Sequence, residues 1–350
     1  MRCTVRATGS WSALLAIFFA SGLAPGLCQQ KEQTIESPFA VKPNLYLSKW
    51  DPTHEVLLFY RDTNDPLMPA VRAYDHGTQA RLAISPLKDF PDAKAIDIWD
   101  VAAATGGEVI MASVIQYGGQ RVKHALLTYD HWGLLRKFWE VYPYHHHKVG
   151  VDPEGNVYAF GHREDRGEQG NEPDYSLLIK YSTTGKVLWK SLPRSTFPYD
   201  QEIVATSQGT GEHKLLVAND ALLLYVATTG ELFWFNLGNG KMLRRASVSQ
   251  LLDQMASDSG MSHAEIVSLA VSSPGDLLAQ VRVWRKDPQI TSIGFVMARI
   301  AKDGSSCQRL SAVMPVPFPG LFLGSTLGGT HLFLGKQATG ETVLLERRVL

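Results

Sequence analysis

Cysteine is scarce in this 350-residue chain, which holds only three. Two of them, Cys3 and Cys28, lie in an N-terminal stretch that reads as a removable leader. Arg2 and Arg6 supply a short basic start, "WSALLAIFFASGLA" an apolar run of signal-peptide length, and Gly26-Leu27-Cys28 a cleavage site before Gln29. Leu27 stands where a lipid-anchor site needs a small residue, so cleavage near Cys28 and secretion or periplasmic residence is the expectation. The mature chain then keeps Cys307 alone, which excludes an internal disulfide and leaves stability to the core. Some 320 residues are ample for that (about 150 already bury most of their chain surface).

Net charge is also lacking. Without Arg2 and Arg6 the chain carries 32 basic residues against 34 acidic ones. With no basic cluster, nucleic acid is excluded as an expected partner. Beyond the leader no apolar run approaches the roughly 20 residues that cross a bilayer. A soluble monomer is expected. Helical periodicity is confined to "SVSQLLDQMASDSGMSHAEI", where Ser247 could cap and Val248, Leu251, Leu252 and Met255 share a face. Familiar chemical signatures are missing too: there is no Gly-x-Ser-x-Gly, no His-Glu-x-x-His and no phosphate-cradling loop.

What the chain does contain is a repeat. "LLIKYSTTGKVLWK" (177–190) and "LLLYVATTGELFWF" (222–235) align without a gap, each with Thr-Thr-Gly and a Trp four residues later. Looser copies are "VRAYDHGTQARLAI", "LLTYDHWGLLRKFW" and "MARIAKDGSSCQRL", with turn glycines Gly77, Gly133, Gly185, Gly230 and Gly304. A second hairpin precedes each, as in "KVGVDPEGNVYAFGH" and "VSLAVSSPGDLLAQVRVW". Two hairpins in about fifty residues make a four-stranded propeller blade. Five full units and a partial sixth predict an all-β, six-bladed β-propeller of four-stranded antiparallel blades, with seven blades as runner-up.

The predicted organisation is a leader over 1–28, a linker over 29–38 and one propeller domain over 39–350, with a helical insertion near 246–263. Both Thr-Thr-Gly copies read as outer hairpins of neighbouring blades. The last blade is completed by "FAVKPNLYL", which closes the ring and hides a sheet edge.

Thr184-Gly185 to Trp189 and Thr229-Gly230 to Trp234 resemble the repeat of quinoprotein-type propellers. That resemblance implies that Trp189 and Trp234 dock one blade on the next and are not catalytic. The chain as a whole looks more like the six-bladed group that includes NHL-type propellers, so quinone chemistry is not expected.

The most conspicuous polar cluster is His145-His146-His147. Side chains alternate along a strand, so at most His145 and His147 point together. Aligning the first hairpins on their turns sets Asn44, Asp97, Tyr199 and Glu265 at the ring position of His145. With His147 they form a candidate ligand site at the channel mouth, and His145, Asp97 and Glu265 a candidate metal set of nitrogen and oxygen donors.

The expected function is an exported binding module that presents its channel face to a protein or small polar ligand, with no covalent chemistry and no cofactor. One alternative, which other six-bladed propellers suggest, is a hydrolase or lactonase using one divalent metal in the central channel. Another is a structural part of a cell-envelope assembly.

Overall fold

The computed structural model describes residues 30–34, 46–75, 80–119, 121–164, 174–198, 212–218, 221–272, 275–286, 290–315, 320–326, 328–336 and 342–347. The expected leader, Asn44, Gly77 and Tyr199 lie outside these residues. The described strands form six four-stranded antiparallel sheets, and the chain is a six-bladed β-propeller.

Blade 1 comprises β2 (Leu47–Asp51), β3 (Val56–Tyr60), β4 (Val71–Tyr74) and β5 (Ala80–Ile84). Blade 2 comprises β6 (Ala93–Ala104), β7 (Glu108–Tyr117), β8 (Val122–Tyr129) and β9 (Leu135–Glu140). Blade 3 comprises β10 (Tyr144–Val151), β11 (Val157–Arg163), β12 (Ser176–Tyr181) and β13 (Val187–Pro193). Blade 4 comprises β14 (Lys214–Val217), β15 (Ala221–Val226), β16 (Glu231–Asn236) and β17 (Met242–Ser247). Blade 5 comprises β18 (His263–Val271), β19 (Leu277–Lys286), β20 (Ile290–Ile300) and β21 (Cys307–Arg309). Blade 6 takes β22 (Leu321–Ser325), β23 (His331–Lys336) and β24 (Thr342–Arg347) from the C-terminal end, and β1 (Gln30–Thr34) from the N-terminal end. The first strands of successive blades neighbour one another around a ring.

Closure by an N-terminal strand is present, but "FAVKPNLYL" does not supply it. Five residues of the expected linker, Gln30–Thr34, pair with β24 instead. Their sequence, QKEQT, is wholly polar. That suits an outermost strand, where charge blunts the exposed edge.

The core consists of six seams rather than one centre. Leu222, Leu224 and Val226 of β15 pack toward blade 3 with Tyr158, Phe160 and Leu178. The alternate residues Leu223 and Tyr225 pack toward blade 5 with Ile266, Leu269 and Val281. A strand buried on both faces must be apolar at every position, which is why "ALLLYV" shows no alternation.

The Thr-Thr-Gly pair needs correcting. Its first copy is β12–β13, the outer hairpin of blade 3, whereas its second is β15–β16, the middle hairpin of blade 4. The outermost strand of blade 4 is the following Met242–Ser247. The two copies share a tight turn, with Gly185 at φ 82° and Gly230 at φ 64°. An apolar strand pair around a Gly turn fits either place in a blade.

Trp189 does join blades. Its indole Nε1 donates to Leu237 O of blade 4 at 3.2 Å, and Lys180 Nζ donates to the same carbonyl at 3.0 Å. Trp234 packs in the seam between blades 4 and 5. Gly185 lies against the Trp139 indole of blade 2.

The helix α1 spans Ser249–Asp258 and buries Leu252, Met255 and Ala256. Its N-cap is Val248 rather than Ser247, and no side chain caps it. Val248 N donates to Gly230 O at 2.8 Å and Ser249 Oγ to Thr229 O at 3.0 Å, so the Thr229-Gly230 turn seats the helix.

Candidate functional site

Four inner strands share a β-bulge. The register slips at Trp99 in β6, His147 in β10, Val267 in β18 and Leu323 in β22. Asp97, His145 and Glu265 each stand two residues before their bulge, so they occupy one ring position. A bulge bends and twists its strand locally and re-aims side chains.

The three residues nevertheless engage different partners. Asp97 Oδ2 accepts from Gln116 Nε2 at 2.5 Å. Glu265 Oε1 pairs with Arg282 at 2.5 Å, and burial pushes its carboxyl above the ordinary range. Neither carboxylate belongs to a group of three potential metal ligands among the described residues.

His145 belongs to two such groups. It meets His147 and His162 in one, and His124 and Glu164 in the other, with ligand atoms in each group within 4.8 Å of one another. His162 lies directly opposite His145 on β11, and His124 comes from β8 of blade 2. The pocket therefore sits at the junction of blades 2 and 3.

The rings of His145 and His147 stack with centroids 4.8 Å apart, while the Trp99 indole walls both at 4.5 and 4.8 Å. His147 Nε2 and His162 Nδ1 face each other at 2.6 Å. Glu164 bridges the far side, with Oε1 3.2 Å from His145 Nδ1 and Oε2 2.9 Å from His124 Nε2. Two buried nitrogens, His145 Nε2 and His147 Nδ1, have no hydrogen-bond partner.

Burial and the neighbouring histidines hold His145 at a pKa of about 3, and His147 is also well below its ordinary value. Neutral rings offer lone pairs. His146 points elsewhere, into the seam, where its Nε2 lies 2.9 Å from the Tyr181 hydroxyl. Gly161 opposite makes the hairpin possible, because a Cβ there would fall on the His145 carbonyl and 2.7 Å from His146 Cα.

A second polar group runs around the inner strands. Asp100, the residue after the Trp99 bulge, is 1% exposed. It accepts from Lys49 Nζ of blade 1 at 2.6 Å and from Val149 N of blade 3 at 2.8 Å. Lys49 Nζ donates also to Val149 O at 2.7 Å. Lys148, the residue after the His147 bulge, pairs with Glu212, which also pairs with Lys214 at 3.0 Å. Burial lowers Lys148 to about 7 and Lys214 to about 8. Lys214 in turn lies within electrostatic reach of Glu265.

The sequence reading missed His124, His162, Glu164 and this ring of Lys49, Asp100, Lys148, Glu212, Lys214 and Arg282. A signal for part of it was present. Charged residues inside otherwise apolar strands, such as the Lys of "LYLSKW" and the Asp of "DIWDVAAA", are rarely buried without a partner. Counting outward from the "DPEGN" turn sets His162 opposite His146, and the bulge at His147 is what moves it opposite His145.

No protein family and no curated protein matches the chain by sequence. Among solved structures, a Bacteroides fragilis protein thought to be exported superposes with a TM-score of 0.52 at 7% identity, over 92% of this chain and 95% of its own. The shared feature is the fold. A Xanthomonas campestris gluconolactonase gives a TM-score of 0.45 at 11% identity, covering 94% of this chain and 99% of that one. The soluble aldose sugar dehydrogenase of Escherichia coli gives 0.42 at 9%, covering 92% and 100%. At such identities no residue role passes from these proteins to this chain.

Proposed function

We propose that this chain is an exported binding propeller that takes a small acidic ligand in its central channel, without covalent chemistry. The observation that carries this reading is the imbalance of the inner ring. Among the described residues the ion-pair partners of Lys49, Lys148, Lys214 and Arg282 are Asp100, Glu212 and Glu265, while Asp97 is held by Gln116, and Lys148 and Lys214 share one carboxylate. A ligand carboxylate or phosphate group would complete the pairing, and charge-assisted hydrogen bonds of this kind are the strong ones. Export rests on the leader-like first 28 residues.

The test is calorimetric titration of the mature chain with mono-, di- and tricarboxylates and inorganic phosphate. At least one should bind with a dissociation constant in the micromolar-to-millimolar range, about −8 to −4 kcal/mol. Lys148→Met and Lys214→Met should each weaken it at least tenfold, while Lys123→Met on the outer surface leaves it unchanged. Absence of binding by every anion overturns the reading. Turnover of a lactone by the metal-supplemented chain, lost in Asp97→Asn or Glu265→Gln, would replace it with the hydrolase alternative.

A further inference from the structure

The histidine pocket between blades 2 and 3 has no part in the anion reading, and its chemistry is different. We propose that His145, His147 and His162 form a binding site for one divalent transition-metal ion of the zinc class, with Glu164 as the residue that orients His145. Three imidazoles around one point suit zinc, copper, nickel or cobalt, and exclude magnesium and calcium, which require oxygen donors.

Three observations carry the site. The first is convergence: the ligand atoms lie within 4.8 Å of one another, from two adjacent strands held in register by a hairpin. The second is the unsatisfied nitrogen. His145 Nδ1 faces Glu164 while its Nε2 is buried without a partner, so Nε2 is the nitrogen open to an ion. His147 is 1% exposed, and the nitrogen it turns toward His162 is Nε2. Burying His145 Nε2 without a hydrogen bond costs free energy that metal ligation would recover.

The third is the surrounding shell. A ligating histidine ordinarily gives its other ring nitrogen to a carboxylate, and Glu164 is placed to receive it from His145. Trp99 covers the two stacked rings and keeps bulk water from one side.

The metal-free geometry also fits what loading requires. His147 Nε2 and His162 Nδ1 stand 2.6 Å apart, closer than the roughly 3.3 Å spanned by two nitrogens each about 2.0 Å from a tetrahedral ion. Without a metal the pair shares one proton. With one, that proton moves to the outer nitrogen of its own ring, which stays neutral, and the two rings separate by well under an ångström. Three protein nitrogens leave a fourth position open, the arrangement in which a zinc-class ion accepts water or an external ligand.

The experiment uses the mature chain stripped with a chelator and titrated with Co(II), followed by competition with Zn(II). The expected result is one Co(II) per chain with the intense visible bands of a four-coordinate site, displaced by Zn(II) in equal stoichiometry. His162→Gln and His147→Gln should each weaken Co(II) binding at least a hundredfold. Glu164→Gln should weaken it by about 10- to 100-fold, as for an orienting carboxylate. His131→Gln, an exposed histidine outside the pocket, should change nothing.

Because His147 is buried, circular dichroism of each metal-free variant must first show native strand content. Half-exposed His162 is the variant that decides the outcome if His147→Gln does not fold. Absence of a saturable four-coordinate Co(II) spectrum overturns the proposal, as does full retention of it in His162→Gln. Neither outcome bears on anion binding at Lys148 and Lys214.

Discussion

Asp100 is the residue whose loss should be felt most widely. Its carboxylate ties blade 1 to blade 3 across the inner strand of blade 2, through Lys49 Nζ and Val149 N. The Asp100 side chain is 2% exposed, and that of Lys49 is 21% exposed. Removing one partner of a buried ion pair typically costs about 3–5 kcal/mol, because the other charge stays behind unpaired. Lys49 retains Val149 O as an acceptor and some water, which places the ionic part near the lower bound. The orphaned Val149 N–H adds about 1–3 kcal/mol.

Asp100→Ala should therefore lower stability by about 4–6 kcal/mol, and Asp100→Asn, which keeps an acceptor for Val149, by about 3 kcal/mol. The assay is urea unfolding followed by tryptophan fluorescence, with midpoints compared where the slope is unchanged. A double-mutant cycle with Lys49→Met should give a coupling of about 1.5–3 kcal/mol, against less than about 1 kcal/mol for the exposed Lys123–Glu140 pair. A loss below about 1.5 kcal/mol in Asp100→Ala, or equal couplings for the two pairs, would refute the view that this carboxylate holds three blades together.

Gly185 and Gly106 share a left-handed φ, 82° and 85°, but a Cβ at Gly185 would stand 2.8 Å from the Trp139 indole while one at Gly106 meets open space. Gly106→Ala should cost about 1 kcal/mol from backbone strain alone, and Gly185→Ala at least 2 kcal/mol by the same urea assay. Equal losses would remove Trp139 from the account of that seam. Burial raises the Cys307 thiol to about 11. Since only the thiolate reacts, alkylation by iodoacetamide in a chain starting at Gln29 should run roughly a hundredfold slower at pH 8 than for an ordinary thiol of pKa about 8.5. The rate should climb about tenfold per pH unit toward pH 10, and a plateau near pH 9 would contradict the shift.

The ring was readable because its parts repeat. A Gly turn between two apolar strands at a fixed period specifies blades whether or not each hairpin is placed at the right depth. That tolerance is why the Thr-Thr-Gly copies could be misplaced by one strand in blade 4 while the fold stayed correct. Strand depth depends on which edge faces the neighbouring blade, and an apolar strand such as "ALLLYV" carries no mark of it when both faces are buried. The closing strand was hidden for a different reason. "QKEQT" has no apolar residue to announce a strand, and what defines it is the open edge of β24 more than 300 residues later. The histidine pocket was half visible: His145 and His147 on one face follow from alternation alone. His124 is different. It arrives from β8 of another blade, and only tertiary packing brings it within 4.9 Å of the His145 ring.

The bulges explain why polar groups gather where they do. A strand packed between two apolar seams has no polar face, and a charged side chain on it must find a partner or disrupt a seam. An extra residue breaks that regularity. At Trp99 and His147 it offsets the strand, and the residues immediately following, Asp100 and Lys148, are the charged ones. Their partners then come from elsewhere on the ring, Lys49 from the inner strand of blade 1 and Glu212 from the segment leading into blade 4. The bulge residues themselves, Trp99 and His147, meet at the junction of blades 2 and 3 and help form the histidine pocket. One backbone irregularity thus supplies both the inner ring of charges and the pocket beside it. This places the two proposed sites next to each other in the chain while keeping their side chains apart.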